Sequence, residues 1–202
     1  MPPFYQTINE KIANGEYLNR HEMVAMFSVS NRKAIIKLLE KYYKNFSAAR
    51  GSSHNHQDWE GGYLDHVVET MNIACQLYYR FNTIRGLPFV LADALLVLFL
   101  HDLEKPFKHG KILTLCDCGA ECSCPTIPAT KENRKEFRAN LIKTYGITLS
   151  PEQENALRYV EGVPDSEYTP GERTMGELAA FCHCCDILSA RLWYDRGREQ
   201  AW

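Results

Sequence analysis

"LPFVLADALLVLFLHDLEK", residues 87–105, is the most apolar stretch of the chain, and it ends in a His-Asp pair. A bilayer span needs ~20 apolar residues, and this run is shorter and carries Asp93. It reads as a buried core helix. Pro88 suits a first helical position, the helix ends near His101 to Lys105, and Pro106 stops it. A carboxylate buried alone costs several kcal/mol. The end of this helix therefore needs partners for His101 and Asp102, and the rest of the sequence can be searched for them.

Two further helices offer them. "WEGGYLDHVVE", residues 59–69, breaks the chain at Gly61 and Gly62 and opens a helix over about 63–81 with Asp65 and His66 in its first turns. "MGELAAFCHCCDILSARLWYD", residues 175–195, carries Asp186 mid-helix behind a capping box of Thr174 and Glu177. Two imidazoles and two carboxylates, His66, His101, Asp102 and Asp186, can share one divalent cation and leave positions for water. Adjacent helical residues point ~100° apart, so His101 and Asp102 both reach an ion at the edge between their directions.

The remaining segments read as helices and loops. "NRKAIIKLLEKYYKNF", residues 31–46, places Ile35, Leu38, Leu39, Tyr42 and Phe46 on one face, with Ser30 as cap. A loop follows to Gly62. A polar helix is expected over about 131–145. "SPEQENALRYVEG", residues 150–162, has Ser150 as cap, Pro151 in the first turn, Gln153 closing a capping box and Gly162 as stop. No alternating strand and no internal repeat is visible. The class is all-α, a single domain with a cysteine-rich insertion at about 106–130.

The 202 residues are 45% hydrophobic and 24% charged, with a formal net charge of −2 and a pI of about 6.4. This is a globular composition. The richest basic run, "KENRKEF", is diluted by two glutamates and reads as a solvated helix face, so duplex nucleic acid is an unexpected partner. "MPPFYQTINEK" lacks the charged lead and apolar run of a secretory signal. With eight cysteines, a cytoplasmic setting of reduced thiols or metal ligands is expected.

"GGYLDH", "LFLHDLEK" and "HCCDILSARL" together resemble the HD-domain metal-dependent phosphohydrolase superfamily, whose members carry phrases similar to "GGLLEH", "LLHDIGK" and "ADKLSAL". The resemblance covers roughly residues 54–192. It implies a single-domain HD-type helical bundle with one divalent ion (Mn, Fe, Co, Ni, Zn or Mg) on His66, His101, Asp102 and Asp186. It also implies hydrolysis of a nucleotide or related phosphoester through a metal-activated water. Lys105, three residues after Asp102, is assigned to phosphate binding. Its alternative is a solvated helix terminus. His54 and His56, just upstream of the glycines, are candidates for a general acid, a phosphate ligand or a second metal site. Two-metal relatives add two histidines where this chain has Val160 and Glu161. That departure favours one ion and leaves Glu161 as a candidate base or oxygen ligand.

Other readings stay beside this one. A 3′–5′ exonuclease or phosphodiesterase on single strands is an alternative, as is a non-catalytic nucleotide-sensing module. The charge balance favours a small nucleotide-like substrate, no membrane is expected as a partner, and a homo-oligomer is open. His183 reads as a core histidine, Trp59 and Tyr63 as packing residues, and Cys182 and Cys185 as a buried face. Cys116, Cys118, Cys122 and Cys124 could hold a structural zinc, although Cys-x-Cys is tighter than the usual ligand spacing. Disulfides and free thiols are the alternatives.

Overall fold

The computed structural model describes residues 3–52, 56–107 and 131–193. His54, His109, Cys116, Cys118, Cys122 and Cys124 lie outside the described residues, and the zinc reading with them. The helices are α1 (Pro3–Ala13), α2 (Arg20–Val24), α3 (Val29–Lys41), α4 (Tyr43–Ala48), α5 (Gly62–Ile84), α6 (Leu91–Leu100), α7 (Lys131–Thr144), α8 (Pro151–Tyr159) and α9 (Glu177–Arg191). Short 3-10 turns cover Lys105–Phe107 and Asp165–Glu167. Among the described residues there is no strand, only an isolated bridge between Ser52 and His56. The chain is mostly helical, and none of its described helices is long and apolar enough to cross a membrane.

Helix α6 lies at the centre, against α5, α8 and α9. Every residue from Ala94 to Leu100 is buried. At ~1.5–3 kcal/mol for each Leu, Val or Phe side chain taken out of water, this burial is a large part of the fold's stability. The helix starts at Leu91 and not at Pro88. Val90 is extended (φ −98°, ψ 152°), and its N–H donates to the Asp93 carboxylate at 3.4 Å. Asp93 thus caps the helix, and its other oxygen accepts from Gln153 Nε2 at 2.8 Å.

Three further differences have local causes. The 31–46 segment is two helices, because the backbone turns at Tyr42 (φ −111°, ψ 29°). The turn seats the Tyr42 and Phe46 rings edge-on against Phe107, at 4.9 and 6.0 Å. The cap of α3 is Ser28, whose hydroxyl accepts the Asn31 N–H at 3.3 Å; Ser30 only meets Ser28. Helix α9 begins at Glu177 after Gly176, without the Thr174 capping box. Its cap comes from α8 instead: Asn155 Oδ1 accepts the Gly176 N–H at 2.9 Å, and Asn155 Nδ2 donates to the Thr174 carbonyl at 3.0 Å. Pro106 and Phe107, read as the start of the insertion, are buried in the core. The Ser150–Gln153 capping box of α8 is present as read, with bonds of 2.8 and 3.2 Å.

Candidate metal centre

The end of α6 meets the first turns of α5 and the middle of α9. His66 Nε2 lies 3.3 Å from His101 Nε2. Asp186 Oδ1 lies 3.2 Å from the first and 3.4 Å from the second. Asp102 Oδ2 lies 3.7 Å from His66 Nε2 and 3.3 Å from His101 Nε2. One ligand atom each from His66, His101 and Asp186 fall within 4.8 Å of one another. A tetrahedral ion with ligands at ~2.1 Å has ligand–ligand edges of roughly 3.4 Å. The spacing of His66, His101 and Asp186 therefore fits a single divalent cation, while Asp102, whose Oδ2 is held by Lys105, lies outside that group.

The far sides of the rings decide which nitrogen faces the cluster. His101 Nδ1 donates to the Leu98 carbonyl at 2.6 Å, since a carbonyl can only accept. Ser189 Oγ donates to Glu69 Oε1 at 2.7 Å, so its oxygen accepts the His66 Nδ1 proton at 3.0 Å. Both neutral rings then turn an Nε2 lone pair inward. Imidazoles fixed at one nitrogen and open at the other are the usual form of a metal-ligating histidine.

Two lone pairs at 3.3 Å beside two carboxylates need a positive charge between them. Without an ion, a proton supplies it. Burial alone would lower the proton affinity of His101, but Asp102 and then Asp186 outweigh that and raise its pKa to about 10. His66 is pushed down to about 4, mainly by burial. Asp186 and Asp102 both fall below the usual carboxylate range; burial opposes this, and the neighbouring histidines outweigh it. His66, His101 and Asp102 are sealed from solvent, while Asp186 keeps 20% of its side chain exposed and marks the open side.

Lys105 sits on the Asp102 carboxylate and is itself largely buried. Its own burial disfavours the charged form, yet Asp102 raises its pKa. His56 is buried, with its ring 4.6 Å from that of His66. Its Nδ1 is held by Gln57 Oε1 at 2.5 Å, which leaves Nε2 for other partners, and burial lowers its pKa.

Two glycines keep this loop in place. Gly61 has φ +81°, a left-handed turn that glycine adopts freely. A Cβ on Gly62 would fall 1.9 Å from the Gln57 carbonyl oxygen, so only glycine lets the loop lie against the start of α5. Gln57 itself has φ 46°, a conformation that costs a non-glycine residue on the order of 1 kcal/mol. Trp59 packs here too, its indole N–H on Asp65 Oδ2 at 2.7 Å, and Tyr63 is buried beside Phe46.

Some expected residues stand apart. Glu161 is exposed in the turn after α8 and is not among the groups that converge. His183 Nδ1 donates to the Val160 carbonyl at 2.6 Å, which ties α9 to α8. Cys182 and Cys185 are buried and Cys184 is exposed. Four residues that matter here escaped the sequence reading: Gln57, Glu69, Ser189 and Arg138. Glu69 lies three residues after His66, a spacing that shares one helix face and was a usable signal. Arg138 follows the basic run taken as solvated, yet it is buried and donates to the carbonyls of His101 and Leu157.

No protein family, curated protein or solved structure matches the chain.

Proposed function

We propose that the chain is a divalent-metal-dependent phosphohydrolase of the HD type, acting on a nucleotide or a related small phosphoester. The observation that carries this reading is the meeting of His66 Nε2, His101 Nε2 and Asp186 Oδ1 at edges of 3.2 to 3.4 Å, open to solvent at Asp186, with Asp102 Oδ2 3.3 Å from His101 Nε2. The bound ion would act as a Lewis acid, lowering the pKa of a water and neutralising charge on the phosphoryl oxygens. His66, His101 and Asp186 would hold it, and Asp102 beside His101 would be the fourth ligand.

The chain's other residues supply the rest. Lys105 is the cation closest to Asp102 and is assigned to a phosphoryl oxygen of the substrate. His56, with Nδ1 held by Gln57, presents Nε2 as a proton acceptor for the attacking water. That role replaces the general acid considered from sequence, because burial keeps the ring neutral. The Leu98 carbonyl and the Ser189–Glu69 pair orient the two imidazoles.

The test is a phosphate-release screen of the purified chain with manganese, cobalt or nickel. Substrates are a generic phosphomonoester, a generic phosphodiester and a panel of nucleotides. Turnover that vanishes in Asp102→Ala, with helicity retained by circular dichroism, is the expected result. Turnover equal to that of the parent chain in that variant would remove the assignment.

A further inference from the structure

We propose that the groove between α7 and α8 is a binding site for a small amphipathic anion, a carboxylate or phosphate carried on an apolar body. The groove has a volume of about 670 Å³ and contains none of the candidate metal ligands. Pockets of ~300–1,000 Å³ are of a size to take small molecules. This inference rests on α7 and α8 and goes beyond the phosphohydrolase reading.

Arg138 is the centre of the argument. It lines the groove and is only 6% exposed. Two of its N–H groups go to the carbonyls of His101 and Leu157. These belong to the C-terminal ends of α6 and α8, where helix dipoles favour a cation but supply no full charge. Among the described residues no carboxylate forms an ion pair with Arg138, Lys135 or Lys143. The buried Glu104 carboxylate interacts with Arg138 without forming an ion pair, so the surplus of positive charge at the groove lies with Lys135 and Lys143 beside it, and a bound anion would match that surplus.

The rest of the lining fixes the ligand's character. Lys135 and Lys143 are exposed and reach the groove from α7. Arg158 is already neutralised by Glu167 at 2.8 Å, which leaves Glu154 as the remaining acid against three cations. Ala139, Ile142 and Leu157, with Ile147 and Leu149, form an aliphatic wall. A bare inorganic anion would leave that wall wet, and a neutral lipid would leave the excess of lining cations over Glu154 unmatched. The combination suits one negative head group with an apolar tail.

The experiment titrates the full chain with octanoate, octyl phosphate, octanol and octylammonium by calorimetry, with and without manganese. Octanoate or octyl phosphate should saturate, with octanol and octylammonium at least about tenfold weaker. Whichever anion binds tighter identifies the head group as carboxylate or phosphate. Lys135→Gln combined with Lys143→Gln should weaken the anion by about tenfold, and Ala139→Trp, an exposed position that plugs the groove, by at least as much. Circular dichroism should be unchanged in both, because the altered positions are exposed. Octanol binding as tightly as octanoate, or anion affinity unaltered in both variants, would overturn the proposal. Titration without manganese keeps the outcome independent of whether the chain holds a metal at all.

Discussion

His66, His101, Asp102 and Asp186 come from three helices packed on one another, whereas His56 comes from a loop pinned by two glycines. The helix-borne groups are placed by the burial of whole faces around α6, which many residues support. The loop-borne histidine depends on one close backbone approach at Gly62 and one left-handed turn at Gly61. The first half of the centre should therefore lose function through its ligands. The second should lose it through positions that touch no ligand.

Removing a ligand should have the largest effect. Asp102→Ala leaves Lys105 buried without its partner and takes one oxygen from the cluster. Manganese affinity, measured by calorimetry, should fall by more than about a hundredfold, beyond the range for changes to outer hydrogen-bond partners. Gly62→Ala tests the other half. The new Cβ must displace the Gln57 carbonyl from 1.9 Å, and His56 moves with it. A displacement of this size can cost about a hundredfold in rate, while manganese affinity should stay at the parent value. Loss of both together would show that the two halves are not separate. Gly15→Ala is the matched control. It has φ +75° with nothing within 4 Å of the new Cβ, so it should cost roughly 1–2 kcal/mol of stability and no turnover.

The same contrast explains what could be read in advance. Helix α6, the buried faces of α5 and α9, and the meeting of His66, His101 and Asp186 were legible because burial and 3.6-residue periodicity are written locally. The cap of α9 was not, since Asn155 reaches Gly176 from another helix. Nor was the break at Tyr42, which depends on Phe107. Gly61 and Gly62 were visible as a break, but the partner that requires Gly62 is a carbonyl five residues upstream, brought back by the fold. Arg138 directly follows the basic run and went unread because composition does not say which helix end a residue will cap.

Acidity gives the next test of the helix-borne half. Without an ion, His101 has a pKa of about 10, above its ordinary 6.5. Its contribution to stability is fully present below about pH 6.5 and is lost as pH rises through about 10. His66, lowered to about 4, acts the other way and removes stability as pH falls below 6.5. Asp102 and Asp186, both lowered, add a further loss as pH drops below their ordinary 3.8. The metal-free protein should thus melt at its highest temperature near pH 6.5. An ion must displace the His101 proton, so its affinity should rise by about tenfold per pH unit in the neutral to mildly alkaline range. Loading with manganese should also flatten the alkaline loss of melting temperature. A metal-free melting temperature that climbs between pH 7 and 10 would contradict the protonated His101.

Ser189→Ala should have the smallest effect and is the sharpest check on how the helices aim their ligands. The hydroxyl accepts from His66 Nδ1 at 3.0 Å and donates to Glu69 at 2.7 Å. Without it, the His66 ring loses the partner that keeps its proton on Nδ1, and the proton can move to Nε2. Such outer partners contribute about 10–100-fold in metal affinity, and the lower end is expected here because Leu98 still holds His101. The fold should survive, since a buried Ser→Ala change removes one small polar atom. Ser189→Thr retains the hydroxyl and should restore most of the affinity, which a purely volumetric role would not predict. If Ser189→Ala binds manganese as the parent does, the His66 tautomer is set by the cluster itself. The helix-borne half would then need no support from behind the ring.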